Sequence, residues 1–152
     1  MNKKYRSIYT DGACEPNPGH GGWGFVILSP PDHIKGWGGE LETTNNRMEL
    51  MGAIKGLEYF DTPQCIRLWS DSRYLVNGLN KWLDTWTSQN RLHKMANSDL
   101  WQILWDLKTF HKIDAIWIKG HNDNKFNDLA DELSFYGMEE TISLAVDNMA
   151  LY

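Results

Sequence analysis

The sequence predicts an α/β domain on a mixed five-stranded sheet, three antiparallel strands then two parallel ones, flanked by helices. Up to Glu42 the chain holds three strand-like stretches whose Gly/Pro-rich connections are too short for a helical crossover, which dictates an antiparallel meander. Two later apolar stretches, "CIRLWSDS" (Cys65–Ser72) and "IDAIWIKG" (Ile113–Gly120), each follow segments with helical periodicity. Helical crossovers connect parallel neighbours, so these two strands should run parallel to the first.

In order, the expected strands are Tyr5–Thr10, Gly22–Leu28 and Ile34–Glu42, the second marked by the aromatic and β-branched run after Gly22. A helix begins near Asn46 with Leu50, Ile54 and Leu57 on one face. The strand Cys65–Ser72 ends at Asp71, and a second helix follows with Leu75, Leu79, Trp82, Leu83 and Trp86 in register. Ser98 can cap a third helix carrying Leu100, Ile103, Leu104 and Leu107. After the strand Ile113–Gly120, a last helix over Asn127–Tyr136 aligns Leu129, Leu133 and Tyr136. Residues 1–152 read as a single domain, with a tail over about 138–152 in which Ile142, Val146 and Met149 can line a helical face that packs on the domain.

No apolar run approaches a membrane span, and the charged start leads into a strand rather than a signal-peptide core; the expectation is a soluble cytoplasmic protein. Cys14 and Cys65 lack C-x-x-C spacing, which disfavours a disulfide or a zinc site. The net charge of −5 argues against a nucleic-acid partner, unless several carboxylates belong to a metal site. The eight tryptophans are read mainly as packing.

Gly19, Gly21 and Gly24 spell G-x-G-x-x-G, the dinucleotide fingerprint. That motif needs a helix at its end to hold a pyrophosphate, whereas a strand follows here, and Pro16 and Pro18 break the approach. The glycines are expected instead to let the chain turn and approach a ligand. Ligands of such sheets gather beyond the carboxyl ends of parallel strands, where Asp11 closes the first strand and Asp71 the fourth. Each acid has a bland alternative. Asp71 can cap a helix, Asp11 can sit in a turn, Glu49 can complete a capping box with Asn46, and Asp131 can face solvent. Together, four acids from separate elements could supply oxygen ligands for magnesium.

"YTDGACEPNPG", "TTNNRMELMGAI", "LWSDSRYLVNG" and "IKGH" followed by "NDLADEL" resemble, in order and over nearly the whole chain, the motifs of the type 1 ribonuclease H family, in its bacterial stand-alone form. The resemblance implies a ribonuclease H-like fold. It also implies a metal-dependent endonuclease that cuts the RNA strand of RNA·DNA hybrids, leaving 5′-phosphate and 3′-hydroxyl ends. The implied cofactor is two Mg2+ ions, for which Mn2+ can substitute; their +4 added to −5 leaves −1 and relieves the repulsion of phosphate. The family's catalytic and metal-binding acids fall on Asp11, Glu49, Asp71 and Asp131, and its loop histidine on His121, with a role in proton transfer or product release. Cys14, Asn17, Thr44, Asn45 and Asn46 fall where the family meets the hybrid in its minor groove, where 2′-hydroxyls distinguish RNA from DNA.

Two departures stand out. "NDNKFND" lacks the Gly and Pro usual in the histidine loop. The lysine-rich handle of the bacterial enzymes is reduced in Thr87–Asn97 to Arg91, His93 and Lys94, so weaker substrate binding is expected, with Trp82 and Trp86 anchoring the element and Trp82, Arg91 and Lys94 meeting substrate. The protein is expected to act as a monomer. The rival reading is a non-catalytic hybrid-binding module of the same fold; its signature would be a missing carboxylate, and none is missing.

Overall fold

A computed structural model describes residues 4–120 and 123–150. Strand β1 (Tyr5–Cys14) is central. β2 (Gly19–Ile27) and β3 (Ile34–Thr43) lie on one side of it, and β4 (Cys65–Ser70) and β5 (Lys112–Trp117) on the other. β1, β2 and β3 pair antiparallel, while β4 is parallel to β1 and β5 to β4, as the connection lengths dictate.

β1 is longer than its apolar run suggests. It continues through Cys14 because β2 offers backbone partners that far, Asp11 opposite Gly24 and Cys14 opposite Gly21. Asp11 therefore lies inside the strand rather than closing it. β5 is shorter than expected and stops at Trp117.

Helix α1 (Asn45–Glu58) covers one face. Its cap is Thr44, whose Oγ accepts the Arg47 N–H at 3.2 Å, so Asn46 is a first-turn residue and makes no capping box with Glu49. Beside α1 pack α2 (Arg73–Asn77), a single wide π turn over Gly78–Trp82, α3 (Leu83–Ser88) and, after a 3-10 turn at Leu92–Lys94, α4 (Ser98–Phe110). The sequence predicts one regular helix through the π turn. Two side-chain bonds tie that turn to its surroundings: Lys108 of α4 donates to the Leu79 carbonyl at 2.7 Å, and the turn's own Asn80 Nδ2 donates outward to the Ala115 carbonyl of β5 at 2.9 Å. Ser98 is not the cap of α4. Asn97 holds that place in a left-handed conformation (φ 60°), and its side chain serves other partners. The main core lies between this layer and the sheet, with Ile8, Leu50, Leu57, Leu68 and Trp101 fully buried. Truncating such a side chain costs about 2–5 kcal/mol, a large fraction of a domain's stability.

Helix α5 (Lys125–Ala150) crosses the other face. It lies so close that a Cβ at Gly22 or Gly24 would meet its backbone at Ser134 and Ala130. Gly19 packs on Pro16 and Gly21 on Thr43 and Met48, whereas Gly24, expected to help the chain turn and approach a ligand, seats this helix together with Gly22. The same closeness overrides the expected helix end at Tyr136: Gly137 continues α5 because only a residue without Cβ fits against Gly38 of β3. The tail is therefore the last part of a 26-residue helix. Val146 (58% exposed) and Met149 (77%) do not pack on the domain, contrary to expectation. Among the described residues no helix is long and apolar enough to cross a membrane.

Candidate metal centre and the polar corner beside it

The parallel register of β1 and β4 places Tyr9 opposite Trp69. Two residues further along each chain come Asp11 and Asp71, on the same face by the period of two. Glu49 arrives from α1, which presses on β1 at Gly12; a Cβ there would lie 2.4 Å from the Glu49 nitrogen. The Gly12 N–H donates to Asp11 Oδ1 at 2.8 Å and to Glu49 Oε1 at 3.0 Å, so one backbone donor aligns two carboxyl groups. One oxygen each of Asp11, Glu49 and Asp71 lies within 4.8 Å of the others. The Asp131 carboxyl of α5 reaches that of Asp11 but stands outside this trio. Ser72, not Asp71, caps α2, accepting the Leu75 N–H at 3.2 Å.

Burial dominates the electrostatics. Asp11 and Glu49 are each 4% exposed, and water cannot stabilise their charges. Desolvation, with Asp71's charge and the Asp131 carboxyl adding to it, pushes Asp11 up to about 8 against the pull of its hydrogen bonds. Glu49 is raised well above the carboxylate range, by burial first and the Asp11 charge second. In the absence of a cation the pair therefore holds protons more tightly than ordinary carboxylates do. Glu49 Oε2 is buried with no hydrogen-bond partner among the described residues. Crowded hard oxygens with an orphaned acceptor suit a divalent cation such as Mg2+ or Mn2+, so the residues fit the metal.

A family model for RNase H matches residues 3–139. The chain belongs to the RNase H family. Ribonuclease H of Dechloromonas aromatica (strain RCB) is 43% identical over 139 residues, covering 88% of this chain and 93% of that protein. Ribonuclease H of Chlorobium limicola is 46% identical over 137 residues, 87% and 94% of the two chains. Among solved structures, LC9-RNase H1, described as a type 1 RNase H with the type 2 active-site motif, superposes with a TM-score of 0.79 at 25% identity, covering 92% of this chain and 74% of that one. LC11-RNase H1, solved in complex with an RNA/DNA hybrid, shares the fold with a TM-score of 0.61 at 22% identity, covering 90% and 99%.

In this RNase H chain a polar corner adjoins the acids, one helical turn before Glu49. The Asn45 N–H donates to Asn17 Oδ1 at 3.1 Å, Thr44 caps α1, Asn46 is exposed, and the Cys14 thiol donates to the Pro16 and Thr43 carbonyls. Cys14, Asn17, Thr44, Asn45 and Asn46 are thus brought together. Trp82 sits in a separate aromatic cluster with Tyr74, Trp86 and Trp101, beside an apolar cleft of about 210 Å3 that Met95 and Ala96 complete. Arg91 and Lys94 are exposed beyond it. His121 lies outside the described residues.

The link between corner and cluster escapes sequence reading. Arg47 reaches from α1 to Asp99 at 2.8 Å and 3.0 Å and to Asn97 Oδ1 at 3.3 Å, while Asn97 Nδ2 and the Trp101 indole both donate to Tyr74 Oη at 3.0 Å. The Asp99 end is 63% exposed, so the ion pair contributes only about 0–1 kcal/mol; what it does is hold a cation in place. The one sequence signal was the spacing of Arg47, three residues after Thr44 at the same helix end.

Proposed function

We propose that this chain hydrolyses the RNA strand of RNA·DNA hybrids as a stand-alone endonuclease, with Asp11, Glu49, Asp71 and Asp131 as its metal-binding and catalytic carboxylates. The observation that carries the reading is the convergence of three carboxyl oxygens from β1, α1 and the end of β4, two of them desolvated enough to hold protons. Mg2+ is the proposed ion, two per site, with Mn2+ able to replace it; when bound it activates the attacking water and stabilises the leaving 3′ oxygen, giving 5′-phosphate and 3′-hydroxyl ends. Gly12 N–H keeps Asp11 and Glu49 aimed together, so that both would be in place to hold the ion. Asn17, Thr44, Asn45, Asn46 and the Cys14 backbone face the minor groove, where 2′-hydroxyls mark the RNA strand. Trp82, Arg91 and Lys94 meet the hybrid further along, and His121 assists proton transfer or product release. A cytoplasmic monomer is the form in which we expect it to act.

The test is cleavage of labelled RNA·DNA, RNA·RNA and DNA·DNA duplexes with magnesium and with chelator. Only the hybrid should be cut, only with metal, and Asp11→Asn or Asp71→Asn should lose at least about 100-fold in rate while remaining folded. Near-normal cutting by either variant removes the assignment. Hybrid bound but never cut by the wild type would make this a binding module.

A further inference from the structure

Beyond Ser70 and Trp117 the β4–β5 ladder gives way to side-chain contacts. Its last backbone bond runs from the Ile118 N–H to the Ser70 carbonyl at 2.9 Å. The next carbonyl belongs to Asp71, and a side chain meets it: the Trp117 indole Nε1–H donates to Asp71 O at 3.0 Å, across 46 residues of sequence. The indole is held in turn, with the Arg73 guanidinium over its ring at 4.1 Å from the centroid. Downstream, the Ser72 N–H donates to Ser70 Oγ at 3.0 Å, and Ser72 Oγ caps α2. On the carboxyl side, the chain leaving β5 passes so close that a Cβ at Gly120 would lie 2.8 Å from Asp71 Oδ2.

Asp71 therefore occupies a strand-to-helix switch, where the backbone changes direction and the regular ladder no longer fixes it. Asp11 and Glu49 are aligned by a shared backbone donor inside a strand-helix contact. Asp71 is half-buried, and the orientation of its peptide contributes to the direction its carboxyl takes. We propose that Trp117 is a positioning residue for the metal centre: its indole N–H holds the Asp71 carbonyl where the chain leaves β4, fixes the Asp71 peptide and so helps aim the Asp71 carboxylate at Asp11 and Glu49, with Arg73 clamping the indole from outside. A reactive constellation must hold within about 0.5 Å, and a hydrogen bond on the peptide of one member narrows its range. The inference rests on Asp71 being a metal ligand, as proposed above.

The experiment replaces the Trp117 indole with the isosteric benzothiophene, which keeps the ring and its stack with Arg73 but has no N–H, and compares it with wild type and Asp71→Asn. Mn2+ binding is measured by calorimetry without substrate, followed by kcat and KM on hybrid over a range of Mn2+. Loss of one hydrogen bond should weaken Mn2+ binding about five-fold. At limiting metal kcat should fall by a similar factor, KM for hybrid should hold, and high Mn2+ should restore the rate. A purely structural role would lower the melting temperature in chelator without moving the metal dependence, and that result overturns the inference. So does a change confined to KM, or Mn2+ affinity unchanged in the isostere while Asp71→Asn loses it. If Asp71→Asn itself binds Mn2+ as well as wild type, the failure lies in the carboxylate assignment instead.

Discussion

Asp11 is ordinary in sequence and unusual in its surroundings, because the crevice between β1 and α1 denies it water. Its pKa, pushed up from 3.8 to about 8, means that the folded chain holds a proton which the unfolded chain releases. Between about pH 4 and about pH 8 the folded state binds more protons, so stability in chelator should fall as pH rises through that window and level off above it. Asp11→Asn should remove much of this slope and melt higher than wild type at the alkaline end. Magnesium should raise the melting temperature most at that same end, where fewer protons compete with it. Denaturation across the window, with chelator and with magnesium, checks both; a flat wild-type profile in chelator would rule out the proton-holding pair. The identity of the acids was legible in the motifs, and the meeting of Asp11 with Asp71 follows from a shared register. The desolvation was not legible, because it depends on Gly12 letting α1 touch the strand. Neither was the Arg47–Asn97–Tyr74 link, since its members lie in separate elements and each looks like a surface or core residue alone.

At the scale of elements, periodicity revealed the helices, and contacts from elsewhere in the chain decided their ends. The π turn at Gly78–Trp82 bonds to Lys108 of α4 and to β5, which no local pattern announces. Gly137 reads as a helix stop until β3 is seen to require it inside α5. The reduced handle carries its own prediction. α3 ends at Ser88, Trp86 within it faces Trp101, Trp82 just before it faces Tyr74, and the basic side chains beyond it are exposed Arg91, His93 and Lys94. So few charges should give hybrid binding a shallow salt dependence, since each neutralised phosphate adds up to about 0.9 to the slope on duplex DNA. Ser88 and Gln89 are exposed, whereas the Thr87 hydroxyl is buried, so the first two are the places to add charge. Ser88→Lys with Gln89→Lys should tighten binding at low salt and steepen the slope, leaving turnover at saturating hybrid unchanged. Affinity measured from low to moderate salt decides it: an unaltered slope would mean that this segment does not reach substrate.

For the molecule as a whole, topology was the most legible feature, because the lengths of the connections leave little choice between parallel and antiparallel neighbours. What the sequence does not announce is how such a sheet ends. An open sheet has two rims, and each is a row of backbone groups on which a foreign strand could assemble. Along β3, the exposed side chains of Lys35, Glu40 and Glu42 make that rim charged and inhospitable. β5 is short, and the Asn80 amide already occupies the Ala115 carbonyl in the middle of it. The π turn that delivers Asn80 thus acts as a stopper against self-templating, since an incoming strand must first evict a bond made within the same chain. Asn80→Ala should cost about 1 kcal/mol in the monomer, but its larger effect should come during refolding at high concentration, when unsealed rims meet. Light scattering on rapid dilution from denaturant should then rise steeply with protein concentration for the variant and stay low for wild type. Equal scattering from the two would leave Asn80 with a local role in holding the turn.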